Sequence, residues 1–61
     1  MKIGQRVRVI EEESLFHERL GTIMKIERYY IVVQLDNYPY EMKFIDEELK
    51  LVEGVEWLFK L

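Results

Sequence analysis

The sequence predicts one small all-β domain: a closed barrel of five short strands, with a single helical turn before the last strand and an apolar C-terminal tail. Three observations support this prediction. The chain has only 61 residues, which is one domain at most. Apolar and polar residues alternate in short, separate segments, as they do in half-buried strands. Turn-forming residues lie between those segments, and closing five short strands into a barrel removes exposed sheet edges.

The composition limits the class of protein. Hydrophobic residues make up 49% of the chain, which is enough for a compact core and too much for a disordered chain. The chain has no cysteine, which excludes disulfides and cysteine zinc sites and favours a cytoplasmic location. Because no apolar run approaches the roughly 18–20 residues of a membrane span, we expect no membrane association and no signal peptide.

The first strand is predicted from the segment RVRV at residues 6–9. Its alternation directs Val7 and Val9 inward and the two arginines outward. Ile3 shares the parity of the valines, so we expect it to join them in the core. Residues 11–20 break the alternation and predict a long loop, in which Leu15 and Phe16 cover one end of the core.

Gly21 opens the second strand, over residues 22–26, where we expect it to supply a positive φ or a bulge. The third strand is predicted over residues 30–35, which are rich in β-branched and aromatic side chains. Its alternation places one apolar set on the same face: Ile31, Val33 and Leu35. The segment DNYP at residues 36–39 then forms a turn.

The fourth strand is predicted over residues 40–44, with Tyr40, Met42 and Phe44 facing inward. The acidic run at residues 46–48 is too short for a stable α-helix, so we expect a single helical turn that these acids help to cap. A fifth strand follows over residues 49–52.

The tail at residues 54–61 is strongly apolar and is treated apart from the barrel at residues 1–53. Exposed apolar side chains at a chain end are a liability, so the tail should pack either on the barrel or on a partner. One hypothesis is therefore a self-associating structural or accessory subunit. Its homo-oligomer would form through Trp57, Leu58, Phe59 and Leu61.

Four segments resemble motifs of small SH3-like barrels: GQRVRV at residues 4–9, LGTI at 20–23, VQLD at 33–36 and FIDEELKL at 44–51. This group includes the variable chain of ferredoxin–thioredoxin reductase, a small protein of photosystem I, small bacterial SH3-like regulators that block a partner protein, and KOW-type modules. The resemblance implies an SH3-like barrel over about residues 3–53. It transfers no functional residue, because the motifs consist of turn and core positions.

Catalytic and metal-binding residues are not predicted. Ser14 has one candidate base, His17, but no orienting group completes a triad. Glu13, His17 and Glu18 would form only a weak metal site, because one histidine and two carboxylates share a single loop. We therefore expect no enzyme activity, no cofactor and no metal.

Protein binding is the predicted function, by occlusion of a partner or by scaffolding. The chain carries more large aromatic side chains than a barrel of this size needs inside, and aromatic residues are enriched at protein interfaces. The predicted partner-binding residues are Phe16, Tyr29, Tyr30, Tyr38 and Trp57.

A KOW-like RNA- or DNA-binding module is the alternative. Basic side chains interleaved with tyrosines can hold phosphates and stack bases. The formal net charge of −3 opposes this, because it repels a phosphate backbone. The residues that would carry this alternative are Arg6, Arg8, Lys25 and Arg28.

Overall fold

The structure, a computed structural model, describes residues 1–52. The prediction for the tail at residues 54–61, including Trp57 and the proposed oligomer contacts, lies outside the described residues. The described part holds five strands and one 3-10 turn: β1 Arg6–Val9, β2 Leu20–Ile26, β3 Ile31–Leu35, β4 Glu41–Phe44, η1 Asp46–Glu48 and β5 Leu49–Leu51.

The strands form one antiparallel sheet in the order β4-β3-β2-β1-β5. The middle of the chain is a meander from β2 to β4, while the last strand returns to pair with the first. In that last pairing Val7 lies opposite Leu51, and Val9 lies opposite Leu49. The predicted all-β fold with five strands and a helical turn before the last is thus confirmed for residues 1–52.

The core consists of the apolar faces of these strands. The alternation predicted for β1 and β3 is confirmed, because both valines of β1 and the three alternate residues of β3 are buried. Val32 is also buried, although its parity places it on the opposite face of β3. The main core cluster is Val7, Val9, Ile23, Ile31, Val33, Leu35, Phe44 and Leu49.

Gly21 serves close packing between strands. It lies opposite Val7 on one side and Leu35 on the other. A Cβ atom at this position would lie 2.6 Å from Cγ1 of Val33 and 2.7 Å from the carbonyl oxygen of Gln34. The prediction of a positive φ at Gly21 was wrong, since of the two glycines in residues 1–52 it is Gly4 that has a left-handed φ, of 93°.

A bulge lies further along β2, and not at Gly21. The register of β2 against β3 shifts between Ile23 and Lys25, so Met24 is the extra residue. Strand β2 also begins at Leu20, two residues before its predicted start, and β3 begins at Ile31, one residue after. The expectation that Gly21 supplies a bulge was therefore also wrong.

Three apolar residues predicted to be inside are outside. Ile3 is 68% exposed because the chain turns at Gly4, whose N–H donates to the carbonyl of Ile23, and the parity of β1 does not extend through that turn. Leu15 is 95% exposed, so only its neighbour Phe16 packs on the core as expected. Tyr40 is 67% exposed because β4 begins after it.

The helical turn η1 is held by one of its own acids, as expected. The Glu48 carboxylate accepts a hydrogen bond of 2.9 Å from the backbone N–H of Ile45. The N–H of Glu48 in turn donates to the carbonyl of Ile45, at 3.0 Å. These reciprocal bonds fix the path of the chain between β4 and β5.

Gly21→Ala is expected to lower the free energy of unfolding by about 2–3 kcal/mol, because the added methyl group overpacks β2 against β3. That is a large part of the roughly 3–5 kcal/mol expected for a core of this size. Urea denaturation of Gly21→Ala, Val33→Ala and the double variant measures it. The double variant should lose less than the sum of the two single losses, because removing Cγ1 of Val33 relieves the contact. If the loss in the double variant equals the sum of the two single losses, the added methyl group is not crowded by Val33.

Candidate functional site

A concave surface lies between the β2–β3 connection and the junction of β4 with η1. We call it the hairpin groove, and its volume is about 450 Å³. The antiparallel pairing of Ile31 with Phe44 brings the two walls of the groove together. Tyr30 comes just before Ile31 and Ile45 just after Phe44, so these two residues are neighbours at the end of the sheet. Its lining residues are Ile26, Glu27, Arg28, Tyr29, Tyr30, Ile31, Ile45, Asp46 and Glu47.

The groove has an apolar surface that is open to solvent. Tyr29 is 75% exposed, Ile45 is 47% exposed and Ile26 is 45% exposed. The connection that carries Tyr29 is tight, since the N–H of Glu27 donates to the carbonyl of Tyr30 at 2.9 Å. A short, hydrogen-bonded connection limits the positions that the backbone of Tyr29 can take, which lowers the entropy lost when a partner binds there.

Each tyrosine of the groove already has a cation against the face of its ring. The guanidinium carbon of Arg28 lies 5.4 Å from the ring centroid of Tyr29. The Nζ atom of Lys43 lies 4.8 Å from the ring centroid of Tyr30. Both distances fall within the range of cation–π attraction. Both rings therefore already hold a cation of this chain against one face.

The charge of the lining is predominantly negative. The carboxylates of Glu27, Asp46 and Glu47 come from its two walls, and Arg28 is the one base among the described residues that line it. The carboxylates of η1 lie on a turn fixed by the capping bonds of Glu48. An apolar surface bordered by carboxylates matches a ligand that is both apolar and basic.

The predicted binding aromatics separate into two groups. Tyr29 and Tyr30 lie before β3, in the hairpin groove, whereas Tyr38 lies beyond the other end of β3 with Phe16. The rings of Phe16 and Tyr38 meet edge to face with centroids 5.1 Å apart, and both side chains are half-buried against the core. Phe16 and Tyr38 thus contribute to covering the core, and Trp57 lies outside the described residues.

Sequence reasoning missed the isoleucines and carboxylates of the groove. A signal for Ile45 was present. Met42 and Phe44 face inward in β4, so the next residue, Ile45, is expected to face outward. An apolar side chain at an outward position indicates a contact surface. Asp46 and Glu47 were interpreted only as part of a helical turn.

The basic residues of the nucleic-acid alternative do not form one free patch. The guanidinium of Arg6 donates to both carboxylate oxygens of Asp36, at 2.8 and 2.5 Å, and to the hydroxyl of Thr22 at 2.9 Å. Arg8 is half-buried, and its Nε–H has no partner among residues 1–52. Lys25 is exposed on β2, and Arg28 belongs to the hairpin groove.

The loop residues considered for catalysis or metal binding have structural hydrogen bonds. The Ser14 hydroxyl accepts from the backbone N–H of Phe16 at 3.1 Å, and the backbone N–H of His17 donates to the Ser14 carbonyl. Within residues 1–52, no three histidine or carboxylate side chains lie close enough together to hold a metal ion. The described residues also contain no helix of the length and apolarity needed to cross a membrane.

Comparisons with protein-family models, with curated proteins and with solved structures each gave no match for this chain. The resemblance to SH3-like barrels therefore stays a prediction.

The ion pair between Arg6 and Asp36 gives a pH-dependent prediction. The hydrogen bond from Arg6, reinforced by its charge, lowers the pKa of the Asp36 carboxyl and raises the pKa of the guanidinium. Because the pKa of Asp36 is lower in the folded state, its ion pair stabilises the fold at pH values above the unfolded-state pKa of about 3.9. That stabilisation is lost as the pH falls through the folded-state pKa.

Asp36→Asn should cost no more than about 1 kcal/mol at pH 7, because solvent screens a pair whose side chains are 43% and 47% exposed. The difference from wild type should disappear near pH 2 and shrink in 1 M NaCl. Urea denaturation at both pH values measures it, and an equal difference at pH 7 and pH 2 would rule out the charge as its cause.

Proposed function

We propose that this chain is a small non-catalytic protein-binding module that docks a segment of another protein in the hairpin groove. The observation that carries the proposal is the groove itself, in which Tyr29 on a hydrogen-bonded turn, Ile26 at the end of β2 and Ile45 after β4 expose apolar surface. Aromatic side chains surrounded by polar groups are typical of binding surfaces. The module would act by occluding its partner or by scaffolding.

The form of the groove favours a peptide segment over a small molecule. Its volume of about 450 Å³ falls within the range of ligand pockets. Pockets for small molecules enclose most of the ligand surface, however, whereas the walls here are largely open to solvent. A segment of chain can cover such an open surface and extend past both ends of it.

The sheet order supports closure into the SH3-like barrel that the sequence motifs imply. Strands β1 and β5, near the two ends of the described chain, lie side by side, and the β2–β4 meander extends from β1. The bulge at Met24 increases the local bend and twist of β2. We propose that this curved sheet is an SH3-like barrel, and that the module works in the cytoplasm.

The two other functions predicted from the sequence have weaker support. Nucleic-acid binding would need Arg6 free for phosphate, but its guanidinium is held by Asp36. Self-association through the apolar tail concerns residues outside the described part of the chain, so it stays a prediction.

Panning a random peptide library displayed on phage against the intact chain tests the proposal. Selected peptides should bind wild type and should lose at least about fivefold in affinity on Tyr29→Ala, since an exposed aromatic anchor at an interface is typically worth more than about 1 kcal/mol. The matched control is Tyr40→Ala, which removes a similarly exposed tyrosine outside the groove.

The melting transition of each variant shows whether its fold is kept. Both substitutions should change stability by no more than about 0.5 kcal/mol, as surface substitutions generally do. Failure to select any peptide, or selection of peptides that bind wild type and Tyr29→Ala equally, would overturn the groove as the docking site.

A further inference from the structure

We infer that the segment held by the hairpin groove is basic, with an arginine or lysine flanked by apolar side chains. The inference rests on the proposed function and names the chemistry of its partner. Charge, ring geometry and apolar exposure in the groove each point to this occupant.

The charge of the groove complements a basic segment. Three carboxylates and one guanidinium line it within the described residues, from Glu27, Asp46, Glu47 and Arg28, and the ammonium of Lys43 lies against the lining at Tyr30. The carboxylates still outnumber these two cations. An acidic partner would bring its carboxylates against the first three, and like charges in contact are unfavourable. A basic side chain would instead find acceptors on both walls, from the β2–β3 connection and from η1.

The groove already binds cations from its own chain. Arg28 lies over the ring of Tyr29, and Lys43 lies over the ring of Tyr30. Arg28 is exposed and belongs to the short turn at residues 27–30, so its side chain can swing away without disturbing a strand. Arg28 is thus a built-in occupant that an incoming arginine would have to displace from Tyr29.

The apolar surface of the groove requires apolar neighbours of the basic residue. Ile26 and Ile45 are each close to half exposed on the two walls, one at the end of β2 and the other after β4. A cation alone would leave that apolar surface exposed to water. Apolar residues on each side of the basic residue would cover it, and the long arginine stem would add to the contact.

The test measures binding of three matched peptides to the intact chain by fluorescence anisotropy. The first peptide is an amidated nonapeptide with fluorescein at its N-terminus and arginine between two leucines, flanked by glycine and serine. The second and third carry glutamine or glutamate in place of the arginine. The arginine peptide should bind at least about fivefold more tightly than the glutamine peptide and should weaken as NaCl rises, because the attraction is screened.

The sharpest variant is Arg28→Gln, which removes the built-in cation. It should raise the affinity for the arginine peptide by about two- to fivefold, since the incoming guanidinium no longer displaces another one. The matched control is Arg19→Gln. It makes the same chemical change next to the opposite end of β2 and should leave the affinity unchanged.

Charge reversal supplies the complementary variant. Glu47→Lys should weaken the arginine peptide by about fivefold or more. Its control is Glu41→Lys, which makes the same charge change at the far end of β4 from the groove. Equal losses in both variants would show that only the net charge of the protein matters, and would overturn the inference.

The outcomes separate the inference from the proposed function. If the glutamate or glutamine peptide binds as tightly as the arginine peptide and loses affinity on Tyr29→Ala, the groove binds peptides but not basic ones, and only the inference fails. Weaker arginine-peptide binding in Arg28→Gln would likewise overturn it. If every bound peptide is insensitive to Tyr29→Ala, the groove is not the docking site and the proposed function fails as well.

Discussion

The fold depends on the close approach of β2 and β3 at Gly21. With no side chain at this position, Val33 and the backbone of Gln34 come within a distance that a Cβ atom would violate. The same residue lies opposite Val7 and Leu35, which are almost completely buried. Three strands thus pack closely at the one position in this part of the sheet that has no side chain, and the core valines and leucines of a very small domain pack around it.

The hairpin groove follows from how these strands end. The β2–β3 meander closes in a tight turn, while β4, paired beside β3, ends at Phe44 on the inner face. The next residue, Ile45, therefore has outward parity just where the turn η1 begins and brings carboxylates alongside it. The capping bonds of Glu48 fix that turn. Apolar side chains and acids thus lie opposite the tyrosines because of the register of β3 and β4.

Much of the fold could be predicted from the sequence because alternation in β1 and β3 is a local property that the sheet preserves. Ile3 and Tyr40 were predicted to be buried and are exposed, because the alternation of inward and outward residues holds only within a strand. Ile3 is separated from β1 by the turn at Gly4, and Tyr40 comes before the first residue of β4. Two of the predicted binding residues, Tyr29 and Tyr30, lie in the groove. Their separation from Phe16 and Tyr38, and the role of Ile45, depend on strand pairing, which periodicity does not specify.

The hairpin groove is where we propose that this chain meets its partner. The most direct measurement is a titration of the ¹⁵N-labelled chain with N-acetyl-arginine amide, followed by amide chemical shifts. We expect the largest changes on residues 26–31 and 45–47, with little change near Phe16 and Tyr38. Changes centred on the outer face of β1, or spread evenly over the sheet, would contradict the proposal.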